Sequence, residues 1–379
     1  MRKFLLSLLV AICTVLLSSG LALAKTDPEP SVPLANDLTL QAAVDRAMVM
    51  SNALKTQNKQ VDIAKENLTQ AQDAVTYTPI GYINDDIQMA YSSLLQRQLS
   101  YQTQKKNLDS LQEDIKAQVV QKYIGVQSAQ EALEYARQAV KQTEWNKSMA
   151  QVTYNVGTSS LLDITQAQAA YESALNGVSR AEQALDTAYV DLNALTAYRA
   201  EDRHQLTTVV EYPPLEVNSL TSEINRVINN SSDVWGALQR ITIEQQDLRM
   251  VKQPYEVEKL EINVAELTAA QAKEALETSF LQLYHGILAA EIGVKASEDV
   301  LPVLTETLRA TQVRYNVGMA VQGELIKAET DLAKAENDLA SARYALNSNM
   351  AVYMNLTGRD ILPTLTTAEE AEAEIAEKK

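Results

Sequence analysis

The residues that could carry chemistry are few and lie far apart along the chain. The sequence holds two histidines, His204 and His285, and one cysteine, Cys13. No His-x-x-x-His pair, glycine-rich phosphate loop or nucleophile elbow accompanies them. We therefore predict no catalytic residue, no metal site and no cofactor, and we predict that the protein is not an enzyme. His204 is expected to be exposed in a polar linker, and His285 to be a packing or surface residue.

Two carboxylates recur in the same sequence context and are the better candidates for a site. Asp163 follows Tyr154-Asn155-Val156-Gly157, and Glu324 follows Tyr315-Asn316-Val317-Gly318, in both cases nine residues after the tyrosine. Each glycine stands where a left-handed residue ends a helix. Ser160 and Asp163 also form a Ser-x-x-Asp capping box for the next helix. Each motif therefore predicts the tip of a helical hairpin.

Both motifs precede a helix with heptad spacing, and the two copies keep the same register at an offset of 161 residues. Such a seam predicts helices that coil around their neighbours. An ordinary bundle core would explain one such helix, but not two with the same preceding turn. The seam residues are Ile164, Ala167, Tyr171, Ala174, Val178, Ala181 and Leu185, and then Leu325, Ala328, Leu332, Ala335, Leu339, Ala342 and Leu346.

The helix before each tip is unusually long. Residues 86–152 contain no proline and a single glycine, and about 67 helical residues at a rise of 1.5 Å span about 100 Å. The second long helix is expected from about Tyr255 to Arg314, with Pro302 as a kink or local break. A further helix opens each repeat, at about 38–73 and 220–250. The fold class is therefore all-α, with long antiparallel coiled-coil hairpins in two tandem repeats.

The ends of the chain predict export and a solvated tail. Arg2 and Lys3, an apolar run and Ala22-Leu23-Ala24 are typical of a secretory signal. We predict a signal peptide at 1–24, a linker at 25–37, repeat 1 at 38–199, a linker at 200–218, repeat 2 at 219–357 and an acidic tail at 358–379. The formal net charge of −16 argues against a nucleic-acid partner.

The duplicated tips, each with its acid and heptad helix, resemble the TolC-like outer-membrane efflux proteins over residues 38–357. The resemblance implies a homotrimeric helical conduit in the cell envelope, at the outer membrane or in the periplasm. It also implies that a periplasmic adaptor contacts the two tips, 154–157 and 315–318, and connects them to an inner-membrane transporter. Asp163 and Glu324 match acidic entrance positions of that family, and Lys327 replaces a further acid present in some members.

The chain departs from that family at two insertion points, where family members carry a hairpin of membrane strands. Here these points are Thr76–Tyr82 and about Lys252–Tyr255. Two membrane strands need about 20 residues, so we predict that the strands of the TolC-like protomer are truncated or absent. This prediction leaves an alternative function open, that of an extracytoplasmic coiled-coil spacer or tether with no conducted substrate.

Overall fold

The computed structural model describes residues 37–76, 85–250, 254–362 and 366–367, all within the compact unit that begins at Asp37. Helices dominate this part of the chain, which confirms the predicted all-α class. The helices are α1 (Leu40–Met50), α2 (Asn52–Thr76), α3 (Asp85–Asn155), α4 (Leu161–Thr196), α5 (Leu220–Asn230), α6 (Ser232–Met250), α7 (Tyr255–Asn316) and α8 (Gln322–Thr357). Four two-residue strands accompany them: β1 (Asp37–Leu38), β2 (Gln205–Leu206), β3 (Thr208–Val209) and β4 (Thr366–Thr367).

The helix that opens each repeat is broken once, where the sequence predicted a continuous helix. Ser51 separates α1 from α2, and Ser231 separates α5 from α6. Both serines have non-helical backbone angles, and their N–H groups bond to the carbonyl oxygens of Ala47 and Val227 respectively. The Ser51 hydroxyl then accepts from Leu54 N, and the Ser231 hydroxyl accepts from Val234 N. Each serine thus ends one helix and caps the next, which lets the chain bend without losing hydrogen bonds.

Of the kink or local break predicted at Pro302, the break does not occur, because α7 runs as one helix through this residue from Tyr255 to Asn316. A proline inside a helix removes one backbone hydrogen bond, and the residues around it lie on a coiled-coil hairpin that packing supports. The other long helix, α3, extends over 71 residues, which corresponds to about 105 Å.

Four helices lie side by side in each half of the molecule. Near the tips, α3 packs between α4 and α8, and α7 packs against α8. In the other half, α3 packs against α2 and α6, and α7 packs against α6. The order is therefore α4-α3-α8-α7 near the tips and α2-α3-α6-α7 at the far end. One edge of this layer is α7, and the other is α4 near the tips and α2 beyond.

The heptad seams point into these hairpins. Ile164, Ala167, Tyr171, Ala174, Val178, Ala181 and Leu185 are all half-buried, and Ala328, Ala335 and Leu339 in the second copy are buried. One ion pair also recurs across each seam. Arg137 lies 3.8 Å from Glu182 between α3 and α4, and Glu298 lies 2.8 Å from Arg343 between α7 and α8. These positions differ by 161 residues, so the offset read from the sequence is also a structural one.

The linker between the repeats folds onto α3 and α4 rather than lying free. Residues of β1 pair in parallel with β2, Asp37 with Gln205 and Leu38 with Leu206. The buried Tyr123 hydroxyl donates to Leu38 O at 2.8 Å and accepts from Thr208 N at 3.0 Å. Burial raises the pKa of this hydroxyl, so it stays protonated and available as a donor.

His204 corrects one expectation from the sequence. It is 7% exposed, and its ring lies 4.3 Å from that of Tyr198. Its carbonyl accepts a hydrogen bond from the Tyr189 hydroxyl at 2.9 Å. The polar composition of the linker suggested exposure, but pairing with β1 just after His204 and the hydrogen bond from Tyr189 of α4 hold the linker in place.

The predicted solvated tail also begins with packed residues. Gly358 ends α8 with a positive φ of 64°, and Ile361 is fully buried in the main core. Thr366–Thr367 pairs antiparallel with Thr208–Val209. The chain after α8 therefore returns to the linker, and burial of Ile361 supplies the apolar contact that holds it there.

The two predicted insertion points lie largely outside the described residues. At the first, α2 ends at Thr76 and α3 begins at Asp85; at the second, α6 ends at Met250 and α7 begins at Tyr255. The prediction about the membrane strands therefore stays a prediction. None of the helices in the described part of the chain carries an apolar stretch that could span a lipid bilayer.

Candidate functional site: the two hairpin tips

Tip 1 is a tight turn between α3 and α4. Gly157 adopts a φ of +77°, which an L-residue with a Cβ atom reaches only at a cost. The N–H of Gly157 bonds to Tyr154 O at 2.9 Å, and the N–H of Thr158 bonds to Thr153 O at 2.9 Å. These bonds satisfy the last carbonyl groups of α3, so the glycine ends the helix as predicted.

Asp163 completes the capping box that the sequence predicted. Its backbone N–H donates to the Ser160 hydroxyl at 3.3 Å, and its carboxylate accepts from Ser160 N at 2.7 Å and from the Ser160 hydroxyl at 2.9 Å. The hydrogen bond from the Ser160 backbone, with that from its hydroxyl, lowers the pKa of Asp163. Asp163 is therefore ionised at neutral pH and fixed in place beside the turn.

Tip 2 repeats this backbone with different side-chain support. Gly318 has a φ of +75°, and its N–H bonds to Tyr315 O at 3.0 Å. Val321 stands at the N-cap of α8 and offers no side-chain hydrogen bond. Glu324 instead reaches across the turn, where its carboxylate lies 3.3 Å from Nη2 of Arg314 at the end of α7. An ion pair thus replaces the capping box, while Lys327 lies one turn further along α8 and is exposed.

The tip asparagines are held in the same way in both copies. Gln151 Nε2 donates to Asn155 Oδ1 at 3.2 Å, and Gln312 Nε2 donates to Asn316 Oδ1 at 3.0 Å. Both bonds join residues four apart on one helix face. The last turn of each long helix is therefore stiffened before the chain reverses.

Apolar side chains cover the outer surface of both tips. Val156 is 68% exposed, Val317 is 64% exposed and Met319 is 72% exposed. Tyr154, Tyr315, Leu161, Leu162 and Val321 are exposed beside them. Exposed apolar groups that cluster in this way are typical of surfaces that bind another protein. The structure thus brings the four residues of each predicted tip onto an exposed, apolar turn.

One close contact joins the two repeats near the tips, and the sequence did not predict it. Trp145 of α3 lies against Gly323 at the start of α8, so that a Cβ atom added to Gly323 would stand 2.3 Å from Nε1 of Trp145. A glycine two positions after the N-cap residue Val321 is a weak signal for this contact in the sequence.

A group of carboxylates at the far end of the molecule was also not predicted. Carboxylate oxygens of Glu244, Glu258 and Glu261 lie within 4.8 Å of one another where α6 meets α7. Arg240 lies 3.3 Å from Glu244, so a guanidinium group already balances part of this charge. The three carboxylates lie close enough together that they could hold a metal ion.

Comparison with known proteins agrees with the geometry of the hairpins and their tips. Residues 85–197 match the family model described as outer membrane efflux protein, a range that covers α3, tip 1 and α4. No curated protein sequence matches the chain. The prediction of a TolC-like fold and family resemblance is therefore supported at the sequence level through the first hairpin.

Solved structures extend the likeness to the whole fold. The Campylobacter jejuni CmeC outer membrane channel is 13% identical and has a TM-score of 0.60, with 89% of this chain and 88% of that chain covered. The Neisseria gonorrhoeae MtrE outer membrane channel in its open state is 16% identical and has a TM-score of 0.57, with 86% and 91% covered. A CusC structure is 13% identical and has a TM-score of 0.59, with 85% and 92% covered. The predicted resemblance to the TolC-like outer-membrane efflux family is thus confirmed.

Proposed function

We propose that this chain is one protomer of a homotrimeric efflux conduit, in which an adaptor contacts the tips and connects them to an inner-membrane transporter. The observation that carries the proposal is the pair of open edges on the four-helix layer. Near the tips, α4 and α7 each pack against a single long neighbour. A ring of identical copies joined edge to edge would cover both edges, and the family resemblance supports three copies.

The exposed tips support the adaptor contact. Val156, Val317 and Met319 project at the turns, while the backbone beneath them is fixed by the glycine turns and by Asp163 or the Arg314–Glu324 pair. A rigid backbone with exposed apolar side chains needs little reorganisation on binding, which favours affinity. We assign the tips, 154–157 and 315–318, to the adaptor interface on this basis.

The charges near the tips give the proposed entrance a mixed character. Asp163 is ionised and held by Ser160, whereas the Glu324 carboxylate lies 3.3 Å from the Arg314 guanidinium in an exposed ion pair. Lys327 adds a positive charge close by. We therefore place Asp163, Glu324 and Lys327 at the entrance, with Asp163 as its main anionic group.

The test combines assembly with export. Light scattering on the purified protein should give the mass of a trimer, and efflux should be measured in cells that carry the chain with its adaptor and pump. Exchange of Val156 and Val317 for lysine should abolish export. The mass of the assembly should not change, because these side chains lie outside the helix seams. Val49→Lys is the matched control, since Val49 is 67% exposed and far from the tips.

A stable monomer, or full export by the Val156→Lys/Val317→Lys protein, would refute the conduit. The alternative of a coiled-coil spacer makes a different prediction, because a spacer conducts nothing. Ion conductance through a reconstituted bilayer would support the conduit, and a trimer without conductance or export would favour the spacer. Fractionation of the native cell would test the proposed location in the outer membrane or periplasm.

A further inference from the structure

An arginine where α5 meets the end of α8 lacks the partners that its counterpart in repeat 1 has. The opening helices of the two repeats match at an offset of 180 residues, so Arg226 of α5 stands where Arg46 stands in α1. The helix breaks at Ser51 and Ser231 keep the same offset in the structure. The two arginines can therefore be compared position for position.

In repeat 1 the guanidinium group caps the returning helix. Arg46 Nε donates to Thr196 O at 2.8 Å, and Arg46 Nη2 donates to Ala197 O at 3.3 Å. The same group lies 4.1 Å from the centre of the Tyr198 ring, which is within the range of a cation–π contact. Arg46 is thus committed to the end of α4.

In repeat 2 other side chains take both of these positions. Asn230 Nδ2 donates to Asn355 O and to Leu356 O, each at 3.2 Å, and so caps the last turn of α8. The position of Tyr198 is occupied by Arg359, which offers no aromatic ring. The arginine of α5 therefore has neither the carbonyl acceptors nor the ring that hold its counterpart.

The carboxylate one turn earlier on α5 is also engaged elsewhere. Glu223 Oε1 lies 2.8 Å from Nη2 of Arg359, and Glu223 Oε2 accepts from the Tyr353 hydroxyl at 2.9 Å. Arg226 is exposed, and in the part of the chain that the structure describes its guanidinium group has no hydrogen-bond or ion-pair partner. A positive charge at this junction is thus available to a ligand.

An open cleft beside this guanidinium group has the size of a small-molecule site. Its volume is about 620 Å³, and ligand pockets span roughly 300–1,000 Å³. Its walls include Ser222, Asn225, Arg226 and Asn229 from α5, and Thr357 and Gly358 from the end of α8. None of the described residues that line the cleft is acidic, although the chain has a formal net charge of −16. The cleft therefore favours an anion that also forms hydrogen bonds.

The first helix of repeat 1 does not share this polar face. Ser222, Asn225, Arg226 and Asn229 are all exposed on one side of α5, since their spacing of three and four residues follows the helical period. On α1 the serine and the two asparagines are replaced by Ala42, Asp45 and Val49. An anion at α1 would meet a carboxylate and an apolar surface, so the expected site belongs to repeat 2.

We propose that the cleft between α5 and the end of α8 binds a sugar that carries a carboxylate group. Arg226 holds the carboxylate, because a guanidinium group presents a planar fork of donors to both of its oxygens. Asn225 and Asn229 bond the hydroxyl groups, because an amide offers both donors and an acceptor. The last carbonyl groups of α8 are already bonded by Asn230 and by backbone N–H groups, which limits their repulsion of an anion. The site is separate from the tips and helix edges on which the proposed function rests.

Ligand-observed NMR on the full chain tests the site, with D-glucuronate as the probe. Glucose lacks the carboxylate and acetate lacks the sugar, so both should bind at least about tenfold more weakly than glucuronate. Arg226→Gln should weaken glucuronate binding by about tenfold or more, because a charged donor is lost, and should leave the unfolding midpoint unchanged. Arg46→Gln is the matched control. It should lower the unfolding midpoint, because two carbonyl bonds and a ring contact are lost, and it should leave glucuronate binding unchanged.

Asn225→Asp gives a second test that keeps Arg226 in place. Aspartate stands at the matching position of α1, so the helix should tolerate it. Its negative charge would repel the carboxylate of the ligand, and the affinity for glucuronate should fall by about tenfold. Unchanged affinity in a folded Asn225→Asp protein would contradict the proposed place of the ligand.

Several outcomes would overturn the proposal. These are no binding of glucuronate to the wild-type chain, undiminished binding to Arg226→Gln, or an equal loss of binding in Arg46→Gln, which would indicate a general effect on stability. Equal affinity for acetate would mean an adventitious ion only, and equal affinity for glucose would exclude the role of Arg226. A chain that binds glucuronate but neither assembles nor exports would keep this site and refute the conduit. Export by a chain that does not bind glucuronate would refute this site alone.

Discussion

The contact between Trp145 and Gly323 gives the sharpest mutational prediction. A Cβ atom on Gly323 would lie 2.3 Å from Nε1 and 3.0 Å from Cδ1 of Trp145, whereas non-bonded carbon atoms settle at about 3.5–4.0 Å. Gly323→Ala therefore requires the indole, or the whole start of α8, to move by more than about 1 Å. Trp145 is half-buried on α3, so we expect the indole and the start of α8 to be pushed apart locally.

The magnitude follows from two opposing effects. Alanine in place of glycine favours a helix by about 1 kcal/mol, while forcing extra volume into a packed contact costs about 1–3 kcal/mol. Gly177 is the matched control, because it lies within α4 and an added Cβ would meet nothing within 4 Å. Gly177→Ala should therefore stabilise the protein, and Gly323→Ala should be less stable than Gly177→Ala by about 1–3 kcal/mol.

The assay uses Trp145 itself. In a Trp235→Phe background, Trp145 is the only tryptophan, so its emission and its quenching by acrylamide report on this contact. Gly323→Ala should shift the emission to longer wavelength and increase quenching, and adding Trp145→Leu should remove the difference in unfolding midpoint between the two alanine variants. Equal midpoints and unchanged emission in Gly323→Ala would refute the reasoning.

Three further predictions concern the seam and the tips. Burial and the charge of Glu131 raise the pKa of Glu336, so the folded protein favours the protonated carboxyl and loses stability as the pH rises through that pKa. Glu336→Gln should therefore raise the unfolding midpoint at pH 8 but not at pH 4, and a gain that is independent of pH would contradict this reasoning. Gly318→Ala should lower the stability of tip 2 by about 1 kcal/mol, because alanine is strained at this left-handed φ, and proteolysis at tip 2 should become faster. Gly293→Ala should leave proteolysis at tip 2 unchanged. Ser160→Ala should cost about 1 kcal/mol and speed amide exchange in the first turn of α4, whereas Val321→Ala should leave α8 unchanged.

Much of the fold was predictable because the two copies support each other. A single Tyr-Asn-Val-Gly motif or a single heptad stripe is compatible with several structures. The same turn before the same seam, repeated at one offset, is compatible with few. Local backbone chemistry then fixed the tips, since glycine with a positive φ and a Ser-x-x-Asp cap act within one turn. The long helices were readable for the same reason, because their spacing needs no knowledge of distant contacts.

The features that were missed depend on local capping hydrogen bonds or on contacts between residues far apart in the sequence. Ser51 and Ser231 break their helices although serine is tolerated in helix interiors, and Pro302 fails to break α7 although proline usually does so. His204 and Ile361 are buried near strands that pair residues far apart in the sequence. Short strands of two residues leave no periodic signal, so neither the pairing nor its effect on burial could be read from the chain.

The repeated ion pair shows which property the two repeats share. Arg137 and Glu182 in the first hairpin correspond to Glu298 and Arg343 in the second, with the signs exchanged. Either arrangement places two opposite charges at the same level of the seam, since an ion pair depends on opposite charge and separation and not on which helix carries which sign. The seam between repeats behaves differently: Asp114 and Asn355, which share a hydrogen bond across it, correspond to Ala275 and Ala194, so its chemistry is replaced and not exchanged. Positions inside a hairpin are thus constrained by a partner in the same repeat. Positions on the outer faces can instead adapt to a different neighbour, and for α7 and α4 we infer that this neighbour is another copy.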